Sequence, residues 1–285
     1  MKLLGIVITY YPDSSELKKN ISRFIDDVEL LIIWENTPLS ERDNFRISSS
    51  EFSEKIIYMG DKENLYIAYP LNRAVEYGLK NDFTHLLTMD QDSCFEPGHF
   101  RKYIKLISQY QNQYFIFGCN PNYLNQPISD YPVKVKTLIT SGSFYDLKIF
   151  NKVGLFREEY KIDCIDYEFC FRSEKQGIYS YMIKSVLLNQ QFGNLQKTKL
   201  GYHTFNYPPL RLYYIARNNI WLKREYKGLA SEKDLIKWIV YPLIKVIFSE
   251  KNKWRKVKAI FKGIRDGVRC NFKGKSDINK ANEEV

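Results

Sequence analysis

The stretch HLLTMDQD, residues 85–92, decides the fold. Leu86, Leu87, Thr88 and Met89 form a short apolar run, and Asp90-Gln91-Asp92 follows with no spacer. Continuous runs of this kind are typical of strands buried on both faces of a parallel sheet. In such sheets ligands bind beyond the carboxyl ends of the strands. Two carboxylates at i and i+2 in that position can share a hard cation. Asp90 and Asp92 therefore read as ligands for Mg²⁺ or Mn²⁺, with substrate phosphates completing the shell. A solvated turn is the plainer reading of Asp-x-Asp, and its place directly after an apolar strand favours the site.

Similar runs recur on both sides: LLGIVITYY (3–11), LLIIW (30–34), KIIYMG (55–60) and YFIFGCN (114–120). Between them Ser15–Asp26 and Ile67–Leu79 carry apolar residues at helical spacing, and Pro97 suits the first turn of a helix reaching Ile107. Strand and helix alternating in this way predict an α/β protein with a doubly wound, mostly parallel sheet. Further on, Lys134–Phe144 reads as a strand leading into the small-residue loop Thr140-Ser141-Gly142-Ser143. Ile165–Lys175 reads as a helix ended by Gly177, and Tyr179–Leu188 as another strand. After Tyr207-Pro208-Pro209 the chain becomes helical and basic. Three regions follow: a catalytic domain over 1–206, a helical region over 207–272 and a polar, disordered tail over 273–285.

The chain has 285 residues and a net charge of +10, a balance that favours anionic partners without choosing among nucleic acid, anionic lipid and phosphorylated substrates. No helix-turn-helix, zinc or RNP-like pattern supports a nucleic-acid binder, and the cations crowd the C-terminal third. Five cysteines with no C-x-x-C pair argue against a disulfide framework or structural zinc, and fit a reducing cytoplasm. The N-terminus reads as a first strand, not a signal peptide. The longest apolar stretch, Leu235–Phe248, contains Lys237, Pro242 and Lys245 and falls short of the roughly 20 residues needed to span a bilayer. The basic, aromatic run from Trp238 to Lys262 suits a helix lying on an anionic membrane, or a solvated face packed on the domain. Gly274–Ser276 is no phosphate loop, because neither the glycine spacing nor a preceding strand fits.

A second acidic cluster is DCIDYEFCFR, residues 163–172. Asp166 can cap the helix or face a cleft and take a proton from a hydroxyl, and Asp163 is a second candidate for that role. Arg172 reads as the partner of an internal acid. Arg211, Arg217 and Asn218 can reach phosphates or form a helix-packing network.

Taken in series, GIVITYYPD (5–13), WEN (34–36), DKENLYIAYPLNRAVEYG (61–78), LLTMDQDS (86–93), residues 140–172 and LRLYYIARNNIWLKREY (210–226) resemble the family 2 inverting glycosyltransferases of the GT-A fold. The bacterial rhamnosyltransferase branch is the most similar. The resemblance implies that Thr9, Tyr10 and Tyr11 line the nucleotide pocket, with Asn36 by the base and Asn64 and Asn72 by the donor. Asp90 would contact ribose or metal, and Asp92 would hold the metal bridging the diphosphate. Ser141, Gly142 and Ser143 would floor the sugar and acceptor site, where a glycine lets substrate approach the backbone. Asp166 aligns with the catalytic base.

Two departures stand out. Tyr66 replaces a small residue beside the donor, and Gln190-Gln191-Phe192-Gly193 stands where the branch has His-x-x-Gly, which leaves His203 as a substitute metal or diphosphate ligand.

The expected activity is transfer of a sugar, L-rhamnose from dTDP-rhamnose first, to a hydroxyl of a glycan or lipid-linked acceptor at the inner face of the cytoplasmic membrane. A UDP-hexose or UDP-galactofuranose donor is the alternative. A sugar-phosphate nucleotidyltransferase lacks support, since TYYPDSS (9–15) has no Gly-rich basic loop for a triphosphate. An inactive membrane-surface scaffold is the remaining rival, and Asp90, Asp92 and Asp166 speak against it.

Overall fold

The computed structural model describes residues 1–41, 53–110, 115–121, 128–190, 196–197, 201 and 203–269. The 273–285 tail, Gly274–Ser276, Cys270, and Gln191 to Gly193 lie outside the described residues. A nine-stranded sheet forms from β1 (Leu3–Thr9), β2 (Leu30–Glu35), β3 (Ile56–Gly60), β4 (His85–Asp90), β5 (Ser93–Phe95), β6 (Ile116–Pro121), β7 (Val133–Val135), β8 (Ser143–Asp146) and β9 (Ser180–Gln190). Its order is β3-β2-β1-β4-β8-β6-β9-β5, with β7 beside β9.

The half built from β3, β2, β1 and β4 is parallel throughout. Every residue of β1 is buried, as a continuous apolar run in a doubly covered sheet requires. Beyond β4 the antiparallel β8 intervenes, and β6 and β9 resume parallel pairing. The expected strand over 134–144 is instead two pieces, β7 and β8. The chain turns between them, with Gly142 at φ 74° and the Ser143 hydroxyl donating back to the Ile139 carbonyl at 2.6 Å.

Helices cover both faces. On one side α1 (Ser14–Ile21) and α3 (His99–Ile107) pack with Phe24, Phe95, Phe100 and Tyr103. On the other, α2 (Ala68–Lys80), α4 (Ile149–Val153) and α5 (Ile165–Lys175) bury Leu71, Val75, Phe150 and Phe169. Asp13 caps α1 by accepting from the Ser15 and Glu16 amides at 3.0 and 2.9 Å. The helix expected from Pro97 starts at His99, because Gly98 precedes it in the left-handed region at φ 77°.

The C-terminal third is helical: α6 (Pro209–Glu225), α7 (Glu232–Leu235), a π-helical segment (Ile236–Val240), α8 (Tyr241–Ser249) and α9 (Lys253–Arg269). Pro209 opens α6 at the position where a missing N–H costs nothing. One face of α6 adds Trp221 and Leu222 to the main core, while Leu212 and Ala216 meet Ile239, Val246 and Ile260 in a smaller one. Gly263 and Gly267 let α9 lie directly on α6: a Cβ on Gly263 would stand 2.4 Å from the Tyr213 carbonyl oxygen. A buried ion pair, Lys256 Nζ to Glu250 Oε2 at 2.6 Å, fastens the turn between α8 and α9.

Candidate active site

The register Ile8 to Asp90 brings the carboxyl ends of β1 and β4 side by side, and a cleft of about 540 Å³ opens there. Asp90, Asp92, Asp163 and Asp166 all line it, with Tyr10, Asn36, Asn64 and Arg211 around them. The two acidic clusters, more than 70 positions apart in the chain, thus meet in one cavity.

Asp90 ends β4. Its amide donates to Ser141 Oγ at 3.1 Å, and Gln190 Nε2 donates to its carboxylate at 3.2 Å. Burial, then the charges of Asp92 and Asp166, push its carboxyl up to about 7, against the opposing pull of Arg211 and the Gln190 bond. Burial also raises Asp92, with a smaller contribution from Glu16. The intervening Gln91 also lines the cleft and is held there by Tyr10: it accepts from the Tyr10 amide at 2.7 Å and donates to the Tyr10 carbonyl at 3.2 Å, tying the end of β1 to the end of β4.

Asp166 sits in the first turn of α5, one residue inside the helix and not at its cap. Its two carboxylate oxygens accept from the Tyr167 and Thr140 amides at 2.9 and 3.1 Å. Burial raises its carboxyl to about 6 despite these bonds, and the Asp163 charge adds to the rise. Just before it the backbone is unusual: Lys161, Asp163 and Cys164 all hold φ near 60°, each a left-handed non-glycine residue. Such conformations persist only where the surroundings impose them. Here the clamp is Asn218 of α6, whose Nδ2 lies 2.9, 2.8 and 2.9 Å from the carbonyl oxygens of Tyr160, Ile162 and Asp163. Its Oδ1 accepts from Arg217 Nε at 3.0 Å, and Arg217 also donates to the Glu159 carbonyl and stacks over Trp221 at 4.1 Å.

Several residues expected in the donor pocket stand elsewhere. Arg217 is committed to this clamp and is absent from the cleft lining, so it follows the packing reading of the α6 residues. Asn72 is buried in α2 and bonds the Phe156 backbone in both directions at 2.9 Å, tying α2 to the segment before the base loop. Thr9 faces inward, its hydroxyl donating to the Trp34 carbonyl at 3.1 Å. Gly142 is needed for packing: a Cβ there would lie 2.2 Å from Cys119 Sγ. Ser141 acts on Asp90 through the hydrogen bond above, outside the cleft wall. Tyr11 is exposed beyond the rim, and a hydrogen bond to Glu41 pushes its phenol up to about 12. His203 lies exposed in a short pair, β10 (Gln196–Lys197) with β11 (His203–Thr204), and does not line the cleft with the aspartates.

Asn36 and Asn64 are at the cleft, shaping its wall. Asn36 accepts from the Leu65 amide at 3.1 Å, and Asn64 from the Tyr66 amide at 2.8 Å, holding Tyr66 at φ 62°. The ring of Tyr66 meets Tyr214 edge-on at 5.7 Å. Arg211 forks onto Asp163 at 3.1 and 3.2 Å and stacks over Tyr207 at 4.2 Å. Arg172 pairs with the fully buried Glu168 at 2.8 and 3.0 Å, as its reading as an internal partner required.

Asp90 and Asp92 fit a divalent cation: both are hard oxygen donors in one cavity, and a cation would offset the burial and the carboxylate repulsion that raise Asp90. No set of three or more His, Cys, Asp and Glu forms a metal cluster among the described residues. Two carboxylates leave the remaining positions to substrate phosphates and water.

No family profile matches the chain. It is 23% identical over 292 residues to RfbF of Shigella flexneri, a dTDP-rhamnosyl transferase, across 94% of this chain and 95% of that one. The fold recurs in solved structures. GalNAc-T7 with UDP, GalNAc and Mn²⁺ aligns at TM-score 0.57 and 10% identity over 94% of this chain, and S. aureus TarS 1–349 with UDP-GlcNAc at 0.52 and 14% over 94%. The chain spans 56% of that GalNAc-T7, 82% of TarS 1–349 and 45% of the longer TarS chain. The parallel β3-β2-β1-β4 half, the aspartates at its carboxyl edge and a sequence likeness running nearly end to end agree: this chain has the GT-A fold and is similar along its length to a dTDP-rhamnosyl transferase.

Proposed function

We propose that the cleft takes a nucleoside diphosphate sugar and transfers its sugar, with inversion, to a hydroxyl of a glycan or lipid-linked acceptor, as family 2 enzymes do. The observation that carries this reading is the convergence of Asp90, Asp92 and Asp166 in one cavity, with Asp166 near pKa 6 and unengaged by any cation side chain in the bonds that hold it. Asp90 and Asp92 would hold a divalent metal, and Asn36, Asn64 and Tyr10 would bound the nucleoside end. When bound, the cation neutralises charge that develops on the leaving diphosphate. Asp166 accepts the acceptor's proton at a carboxylate oxygen. The freed oxygen attacks the anomeric carbon from the side opposite the diphosphate, so the new bond forms as the old one breaks and configuration inverts. The Thr140 and Tyr167 amides fix the carboxylate's orientation for this transfer. The likeness to RfbF favours dTDP-rhamnose as donor, with a UDP-hexose or UDP-galactofuranose the second choice.

Calorimetric titration with dTDP, UDP and GDP, each with Mn²⁺ or Mg²⁺ and then with chelator, tests this. Metal-dependent binding of one nucleotide is expected, and its identity names the donor class. Absence of binding by any of the three to folded protein would overturn the reading.

A further inference from the structure

The C-terminal helices expose an apolar face that the transfer chemistry does not use. On α8 and the π-helical segment before it, Ile236, Val240, Ile244 and Ile247 recur at three- and four-residue spacing, all exposed, with Phe248 65% exposed beside them. On α9, Trp254, Phe261 and Val268 stand seven residues apart, hence on one line of the helix, and Trp254 is 88% exposed. The opposite sides of both helices are already packed on α6 through Ile239, Val246 and Ile260. Cations accompany the apolar side chains: residues 232–269 hold eleven Lys and Arg against four Asp and Glu, which is seven of the chain's ten net positive charges. Lys258 and Arg265 fall on the same line of α9 as its three apolar residues.

We infer that this face rests on an anionic lipid bilayer, with Ile244, Ile247, Phe248, Trp254 and Phe261 sunk at the headgroup boundary and the lysines and arginines around them on lipid phosphates. Clustered large apolar side chains left exposed on packed helices mark an interaction site. Its pairing with dense positive charge matches a surface that is apolar beneath and negative above. No described helix is long and apolar enough to cross a membrane, so the helices lie on the bilayer. The face adjoins the cleft, because Trp238 of the π-helical segment and the exposed Leu210 of α6 both line it. Docking therefore brings the cleft's rim to the lipid surface, where a lipid-anchored acceptor presents its hydroxyl; this last step rests on the transferase reading, while the docking does not.

Sedimentation with vesicles of phosphatidylcholine alone and of phosphatidylcholine with phosphatidylglycerol tests the inference on the full chain. Binding to the anionic vesicles only, weakened by salt, is expected, with a blue shift of tryptophan emission that Trp254→Phe reduces. The exposed pair Phe248→Glu and Trp254→Glu should reduce partitioning about tenfold or more while leaving circular dichroism and nucleotide binding unchanged. Failure to bind anionic vesicles, or full binding by the double variant, would overturn it. So would a dimer in solution that the double variant splits with no vesicle binding by either protein, since a second copy would then cover the face. Nucleotide binding is read separately, so its failure counts against the transferase reading alone.

Discussion

In the proposed transfer Asp166 is the base, and its environment sets a pH dependence. The carboxyl titrates near 6, and only its ionised form can accept a proton. Transfer is therefore full above that value and falls about tenfold per pH unit below it, which a rate profile at saturating donor checks. Asp92→Ala is expected to weaken nucleotide binding in the presence of metal and to leave the weak binding in chelator unchanged, measured by calorimetry. Asn218 acts through others: with its three carbonyl contacts removed, Asn218→Ala frees the left-handed turn at 161–164. A fall in kcat larger than the rise in KM is expected, with a loss of about 1–3 kcal/mol in stability. Asp90, Asp92 and Asp166 stood out in the sequence through their places after an apolar strand and at the start of a helix, and the resemblance to a family singled them out from the turn and cap readings those places also allow. The roles of Gln91, Gln190 and Asn218 did not. Gln190 bonds a residue 100 positions away, and nothing local marks that pairing. Left-handed Tyr66, Asp163 and Cys164 were equally hidden, since no glycine announces them.

The elements that hold the site depend on two packing devices. Glu168 of α5 is fully buried and accepts from Arg172 and from the Tyr226 hydroxyl at 2.6 Å, with Arg157 Nε 3.3 Å away. Removing it strands buried guanidinium charge, so Glu168→Ala should cost about 3–5 kcal/mol in a denaturant titration. The second is the close seat of α9 on α6. A leucine at Gly263 drives carbon into the Tyr213 backbone, and Gly263→Leu should lose about 3 kcal/mol while also disturbing Asn218, which α6 carries. Most strands and helices from 3 to 107 were readable from apolar runs and helical spacing, but the helix expected over Ser15–Asp26 ends at Ile21 and the short β5 (Ser93–Phe95) gave no signal of its own. The 134–144 segment was misread as one strand because Val135, Thr137 and Ile139 alternate with other residues as in a strand, while the backbone turns at Gly142 before β8 begins. The glycine pair on α9 gave no signal, because its partner surface is on another helix.

Across the whole molecule, charge and chemistry are divided: the aspartates gather at the sheet's carboxyl edge and the excess cations on α8 and α9. The α/β alternation and the order of motifs made the GT-A fold legible. The antiparallel insertion of β8 was not, since strand direction follows from tertiary pairing and not from composition. Nor does α6 belong to one region alone, as it serves both the main core and the C-terminal cluster. The cleft wall is partly built by Tyr66 and Tyr214, two residues far apart in the chain whose rings meet at 5.7 Å. The central claim is that Asp166 is the base and Asp90 with Asp92 the donor's anchor. It is tested most directly by release of nucleoside diphosphate from the sugar nucleotide that binds, comparing the unaltered protein with Asp166→Asn at matched donor occupancy. A fall of about 10²- to 10⁴-fold with donor affinity unchanged is expected. Release near the unaltered rate would contradict the assignment and move the base elsewhere in the cleft, to Asp163 first.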